Sequence, residues 1–237
     1  MKRRTIQVFI LVLAASWALS CGRSNPLNRL QSQVRGFPEY SIILDDMDRE
    51  GNFFTDYYHK YKLVWRESGD EGELRSRETG WERVDKRTFQ RYSNCLGMAV
   101  VSKNDQGKVS NVCYPAGYHY VGNPRYGRWR TGPRGNTFWE FAGKYAVARA
   151  IFNWGDRNVA RGEWDGYRTA RQNSRPYFGN GAYGTSGTHT RKMRPNFFQR
   201  RQAREAARKA SFGQKVRSRV GRSRSSGARS RGSSFGK

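Results

Sequence analysis

The chain has 237 residues, and its 45 Lys and Arg outweigh its 19 Asp and Glu to give a formal net charge of +26. A chain this basic is attracted to polyanions at neutral pH. Apolar residues make up 36% of it and aromatic residues 14%. This composition argues against a chain that is compact throughout, and it predicts one aromatic-rich folded domain attached to polar, unfolded sequence.

The N-terminus has the pattern of an export signal. Lys2, Arg3 and Arg4 are followed by an apolar run at residues 6–19. This run is within the length of a signal-peptide core and shorter than the ~20 residues that span a bilayer. We therefore expect residues 1–20 to be a signal peptide.

The end of this segment, Ala18-Leu19-Ser20-Cys21, resembles the lipobox of bacterial lipoproteins, with Ala18 and Leu19 exchanged relative to the usual order. The resemblance implies cleavage before Cys21, lipid attachment to Cys21, and a membrane-anchored protein of the cell envelope. Gly22 at the next position implies the outer membrane. Ordinary cleavage, which would give a secreted protein, and an uncleaved single-helix anchor are the alternatives.

Two cysteines remain for the mature domain, Cys95 and Cys113. An even pair in an oxidising compartment predicts a disulfide, which needs a bend that Gly97 permits, and two buried thiols are the alternative. Closing this loop stabilises the fold by about 3 kcal/mol. The cysteines lack the spacing of a zinc site, which disfavours structural zinc. We expect no metal and no cofactor.

The first half of the mature chain has strand patterns. Residues 21–36 are expected to be a lipidated tether with a short helical piece near 27–34, and ordered structure to begin at Phe37. Two strands with a turn near 49–52 follow, then an acidic loop at 67–73 and further strand between Leu74 and Tyr92. Around 98–115, a loop at 104–107 predicts a hairpin, in which a Lys103–Lys108 pair would place Met98 opposite Cys113.

One helix is predicted at residues 137–152. Thr137 and Glu140 have the spacing of a capping box, and Gly155 stands where a helix-terminating glycine is expected. The apolar residues recur at helical spacing: Phe138, Phe141, Ala142, Tyr145, Ala148 and Phe152. The fold class is therefore α+β, with a small antiparallel sheet of hairpins covered by one main helix over residues 37–155.

The last third of the chain is basic. Residues 156–195 are an extension rich in Arg, Gly and aromatic residues, and residues 196–212 predict a helix between Asn196 as its cap and Gly213. Residues 213–237 are Arg/Ser/Gly-rich, and we expect a disordered tail. The predicted anion-binding residues of this region are Arg200, Arg201, Arg204, Arg208, Lys209, Arg217, Arg219, Arg222 and Arg224.

Like charges four residues apart, as at Arg200, Arg204 and Arg208, destabilise an isolated helix, and a bound polyanion would relieve this repulsion. In an exported protein the expected partners are the membrane, anionic envelope polymers, lipid head groups or an acidic protein. Nucleic acid is a lesser alternative. The leading hypothesis is a non-enzymatic binding or structural lipoprotein.

No catalytic motif is recognisable. The half EF-hand pattern at 46–51 has Tyr57 where the closing glutamate of a calcium loop belongs, so a solvated turn is the better interpretation. The alternative to a binding protein is an exported hydrolase of cell-wall or surface polymer, which requires Asp45 and Asp46 to meet His59 or His119 in one cleft.

Overall fold

The computed structural model describes residues 25–51, 54–69 and 72–226, with side chains described to residue 219. The strands are β1 (Glu39–Glu50), β2 (Asp56–Arg66), β3 (Leu74–Val84), β4 (Met98–Lys103), β5 (Val109–Ser110), β6 (Tyr114–Pro115), β7 (Gly127–Thr131) and β8 (Thr137–Phe141). The α-helices are α1 (Pro26–Val34), α2 (Lys86–Arg91), α3 (Ala148–Ile151), α4 (Arg161–Gln172), α5 (Thr188–Met193) and α6 (Pro195–Ser226). The chain forms two units, Met1–Met193 and Arg194–Lys237.

The core of the first unit is a six-stranded antiparallel sheet in the order β3-β2-β1-β4-β5, with β6 also paired to β4. β1 lies between β2 and β4, and its residues 39–45 are buried without alternation. A strand that is buried on both faces reads as a continuous run rather than as alternating apolar and polar residues. The predicted α+β class with a small antiparallel sheet is confirmed. The first two predicted strands are present as β1 and β2, and β1 continues through Arg49 and Glu50, where the turn was expected to begin.

Helix α1 covers one face of this sheet. Asn25 caps it by accepting a hydrogen bond from the Leu27 N–H, and Pro26 occupies the favoured first position. Its apolar stripe of Leu27, Leu30 and Val34 is buried. The helical piece near 27–34 is thus confirmed, but residues 26–34 belong to the folded domain, and the expectation that order begins at Phe37 is wrong.

A layer of tyrosines covers the opposite face of the sheet. Alternation along β1 places Ser41 on the face opposite Tyr40, and Ser41 pairs with Ser102 of β4. The Tyr114 hydroxyl donates to the Ser102 hydroxyl. The buried tyrosines of this unit include Tyr114, Tyr118, Tyr120, Tyr126, Tyr145, Tyr167 and Tyr183. Residues 156–193, nearly all of the predicted extension at 156–195, therefore belong to the first unit and contribute to its core.

The main helix predicted at 137–152 is wrong in its first half. Residues 137–141 form β8, which pairs with β7 so that Trp129 lies opposite Trp139. A 3₁₀ turn at Gly143–Val147 and the short α3 follow. The Thr-Phe-Trp-Glu-Phe segment has high strand propensity, and the cross-strand pair of Trp129 and Trp139 stabilises it as a strand.

The hairpin predicted around 104–107 is present, with its register displaced by one residue next to the loop and by two at Met98. Lys103 pairs with Val109 rather than with Lys108, and Met98 lies opposite Pro115. The amide of Asn104 donates to the Lys108 carbonyl, and Gly107 has a φ of +75°. The extra residue enlarges the loop to 104–108.

Candidate functional site: the basic C-terminal helix

Helix α6 extends from Pro195 to Ser226 and belongs to the second unit. Its start agrees with the prediction at Asn196 to within one residue, and proline is favoured in the first turn. The helix does not end at Gly213, whose φ is not positive as it would be in a helix-terminating glycine. It continues to Ser226, through the first part of the segment predicted to be disordered. Residues 227–237 of that segment lie outside the described residues.

Most of the cations of α6 fall on one side of the helix. At about 100° per residue, seven of its ten Lys and Arg lie within an arc of roughly 100°. We call this row the basic stripe: Arg200, Arg201, Arg204, Arg208, Lys215, Arg219 and Arg222. With a rise of 1.5 Å per residue the stripe is about 33 Å long. The other three cations, Lys209, Arg217 and Arg224, lie on a different side in this register, and we call them the outlying cations.

Helix α6 carries a large excess of positive charge. Its ten Lys and Arg face one acidic residue, Glu205, so its formal charge is 10 − 1 = +9. Arg201 Nε lies 3.1 Å from Glu205 Oε1, and both side chains are more than half exposed. An exposed pair of this kind adds little stability. Arg208, Lys209, Lys215, Arg217 and Arg219 are all exposed.

The two predicted cysteine partners are brought together. Cys95 and Cys113 are paired at disulfide distance, with their Cα atoms 6.2 Å apart. Gly97 has a φ of +74°, which turns the chain into β4 as the pairing requires. The amide of Tyr177 donates to the Cys113 carbonyl at 3.1 Å, so the pair also anchors the segment after α4. Cys21 and the predicted signal peptide lie outside the described residues.

The structure does not bring Asp46 and His59 together. Met47 pairs with His59 and Asp46 with Lys60, so the aspartate and the histidine project to opposite faces of the sheet. His59 Nδ1 lies 2.8 Å from the Tyr61 hydroxyl, and its ring stacks on Phe89. Burial lowers the pKa of His59 to about 4.

His119 lies in the tyrosine layer. Its ring contacts Tyr114 and Tyr120, with centroids 6.1 and 3.9 Å away. Burial, with a smaller contribution from Arg171, lowers the pKa of His119 to about 3. Both histidines are therefore neutral at physiological pH. Their surroundings are those of core side chains.

Sequence reasoning missed an ion pair in the tyrosine layer. Arg157 Nη2 pairs with Glu163 Oε1, and the Tyr118 hydroxyl donates to Glu163 Oε2 at 3.3 Å. The Arg157 guanidinium also lies 5.5 Å from the Tyr183 ring centroid. The high density of tyrosine and arginine in residues 156–195 was the signal for it, but no spacing rule connects these residues.

The described residues show neither a metal site nor a membrane-spanning helix. Within 25–51, 54–69 and 72–226, no three His, Cys, Asp or Glu side chains are grouped to hold a metal ion. In the same part of the chain, every helix is too short or too polar to cross a bilayer. No family profile, curated protein or solved structure matches this chain.

Proposed function

We propose that this protein is a non-enzymatic lipoprotein of the bacterial cell envelope, attached by lipid on Cys21, whose basic stripe binds an anionic surface. The lipobox resemblance at residues 18–21 supports the attachment. The arrangement of cations on α6 supports the binding, and this second observation carries the proposal.

The stripe fits a surface better than a small ligand. Its seven cations recur about once per helical turn over about 33 Å, so an extended array of anions can neutralise all of them together. Phosphate groups of lipid heads or of envelope polymers supply such an array. Each Lys or Arg close to an anionic membrane contributes about 1 kcal/mol of binding free energy. A lipid chain combined with a polybasic segment is a two-signal arrangement that gives firm membrane attachment.

Binding also relieves an internal conflict in the helix. Arg204 and Arg208 stand four residues apart, as do Lys215 and Arg219, and each such pair costs a few tenths of a kcal/mol in an isolated helix. Anions placed along the stripe remove this repulsion. We therefore expect helix content to rise when the protein binds and to fall again as salt is added.

The test is vesicle binding by the mature chain with Cys21→Ser, so that no lipid contributes. The stripe variant carries Arg208→Gln, Lys215→Gln and Arg219→Gln, and its matched control carries Lys209→Gln, Arg217→Gln and Arg224→Gln. Both variants lose three positive charges. On vesicles that contain an anionic phospholipid, we expect the stripe variant to lose affinity on the order of a hundredfold, and the control only severalfold.

Three outcomes would contradict the proposal. Equal losses in the two variants would mean that overall charge acts without a binding face. Binding that persists unchanged between about 50 and 200 mM salt would exclude the electrostatic mechanism. Tighter binding to duplex DNA than to anionic vesicles at the same salt would favour the nucleic-acid alternative.

A further inference from the structure

A stack of alternating arginines and tryptophans lies in the first unit. The Arg161 guanidinium lies 4.7 Å from the Trp129 ring centroid and 4.9 Å from that of Trp164. Arg168 lies 4.8 Å from the same Trp164 centroid. Because Arg161 precedes Trp164 and Arg168 follows it by about one helical turn of α4, the indole lies between the two guanidiniums. We call these four residues the Arg–Trp stack.

The stack has a firm base. Trp129 of β7 packs edge-on against the buried Trp139 of β8, with centroids 5.2 Å apart, and against Trp164 at 5.4 Å. A Cβ atom at Gly122 would lie 2.3 Å from the Trp164 ring, so the backbone there supports the indole directly. The cations of the stack are thereby held on a rigid platform rather than on free side chains.

Stacking prepares the guanidiniums for binding. When the flat face of a guanidinium stacks on an aromatic ring, the N–H groups along its edge stay available to hydrogen-bond other partners. That edge matches a carboxylate in a two-pronged hydrogen-bonded pair. Arg161 Nε lies 3.7 Å from Asp165 Oδ1, and its side chain is still 47% exposed. Arg168 is also exposed. Less conformational entropy is lost when arginines already held in place bind an anion.

On its other face, away from the stack, strand β7 holds a carboxylate between two arginines. Arg128 and Arg130 project from β7 opposite to Trp129, and their Nε atoms lie 3.6 and 2.6 Å from Glu140 Oε2. Arg125, just before this hairpin, and Arg134, in its turn, are also exposed. Residues 125–141 and α4 together hold seven arginines and three carboxylates, Glu140, Glu163 and Asp165. The charge selects an anionic partner.

The chemistry of the stack narrows the choice of polyanion. Proteins that bind single-stranded nucleic acid present aromatic rings on which bases stack. Here guanidiniums already occupy positions over the rings of Trp129 and Trp164, so recognition has to use the guanidinium edges. We propose that the Arg–Trp stack is a docking surface for a linear acidic polysaccharide, which it binds through carboxylate groups. This inference goes beyond the basic stripe, because every residue of it lies in the first unit.

The test uses polygalacturonate as the probe, with its methyl ester as the uncharged counterpart. The protein is the full mature chain with Cys21→Ser and the three stripe substitutions, so that α6 contributes less to binding. In that background, Arg161→Lys with Arg168→Lys keeps the charge and removes the planar fork. Its matched control is Arg87→Lys with Arg175→Lys, at two exposed arginines outside the stack.

We expect the Arg161/Arg168 variant to bind polygalacturonate about tenfold or more weakly than its control, because the two-pronged pairs are lost. The unsubstituted stack should bind polygalacturonate and leave the methyl ester unbound. Equal affinity of the two variants would overturn the proposal, as would equal binding of acid and ester or tighter binding of single-stranded DNA. The acid-against-ester comparison needs no variant and stands even if the lysine variant misfolds. Because the substitutions in α6 are the same in both variants, failure here leaves the vesicle experiment unaffected.

Discussion

Glu39 and Arg66 face each other across β1 and β2, and Arg66 Nε lies 3.1 Å from Glu39 Oε1 in the interior of the domain. Only 1% of the Glu39 side chain and 6% of the Arg66 side chain are exposed. The Tyr126 hydroxyl donates to the same carboxylate oxygen, and Arg66 Nη1 donates to the Gly69 carbonyl at 3.1 Å. Burial raises the pKa of Glu39, although the bonds from Tyr126 and Arg66 act against that rise. The pair therefore links the sheet to the tyrosine layer.

Breaking this pair from one side should be costly. Glu39→Gln leaves the Arg66 guanidinium buried without its counter-charge, which typically lowers the free energy of unfolding by about 3–5 kcal/mol. Urea denaturation measures the loss. Glu73→Gln is the control, because Glu73 pairs with Arg75 where both side chains are more than half exposed, and it should cost less than about 1 kcal/mol. Similar small losses of unfolding free energy in both variants would show that the buried pair stabilises the fold no more than an exposed pair does.

The cysteine pair should stabilise the fold measurably. Cys95 and Cys113 are separated by 18 residues, and cross-linking a loop of about this length contributes about 3 kcal/mol in the chain-entropy description. The variant with Cys95→Ser and Cys113→Ser should unfold at lower urea, at the same midpoint as the reduced wild type. A wild-type urea midpoint that does not change when reductant is added would contradict the pairing.

Helix α1 should behave as part of the core. Leu30 is 1% exposed, so Leu30→Ala should lower the free energy of unfolding by about 2–5 kcal/mol. Asn28→Ala, on the exposed side of the same helix, is the control and should change it by less than about 0.5 kcal/mol. A flexible tether at these residues would make the two variants indistinguishable in thermal or urea melts.

Stability should fall in mild acid because of His59. Its folded-state pKa of about 4 lies below the usual 6.5, so the unfolded chain binds more protons between these values. The stabilising contribution is complete above about pH 6.5 and is lost as the pH falls towards 4, with about 3 kcal/mol at stake for this residue. His119 acts in the same direction through its own lowered pKa, whereas the raised pKa of Glu39 acts in the opposite direction near its own titration range.

The measurement is the free energy of unfolding by urea at several pH values from 7 to 4. His59→Asn removes the titrating ring and keeps a polar atom near Tyr61, so its stability should depend less steeply on pH than that of the wild type. An identical slope in both proteins would mean that His59 is not held neutral by burial.

Local patterns predicted the antiparallel strands well. Strand-forming β-branched and aromatic residues predicted β1 and β2, and the glycine-containing loop predicted the next hairpin. The local patterns failed at 137–152. There Phe138, Phe141 and Tyr145 have helical spacing, but Trp139 and Phe141 equally have the two-residue spacing of a strand face. The deciding contact, Trp129 opposite Trp139, forms only when the turn between β7 and β8 closes, and helical periodicity within 137–152 does not contain it.

The candidate functional residues also fall into those that the sequence predicts and those that depend on tertiary packing. The cations of the basic stripe could be placed from the sequence, because one helix holds them all and its period is known. The Arg–Trp stack joins Trp129 of a hairpin to Arg161 and Trp164 of a later helix. Its existence depends on tertiary packing, in which the 127–141 hairpin lies against α4, and no short motif signals that contact.

The most direct test of the envelope-lipoprotein proposal is the mass of the N-terminal peptide of the protein isolated from its native cells. We predict a chain that begins at Cys21 and carries the added mass of two or three acyl chains, recovered in the membrane fraction. A chain that begins at Met1, or an unmodified Cys21 in the soluble fraction, would contradict it.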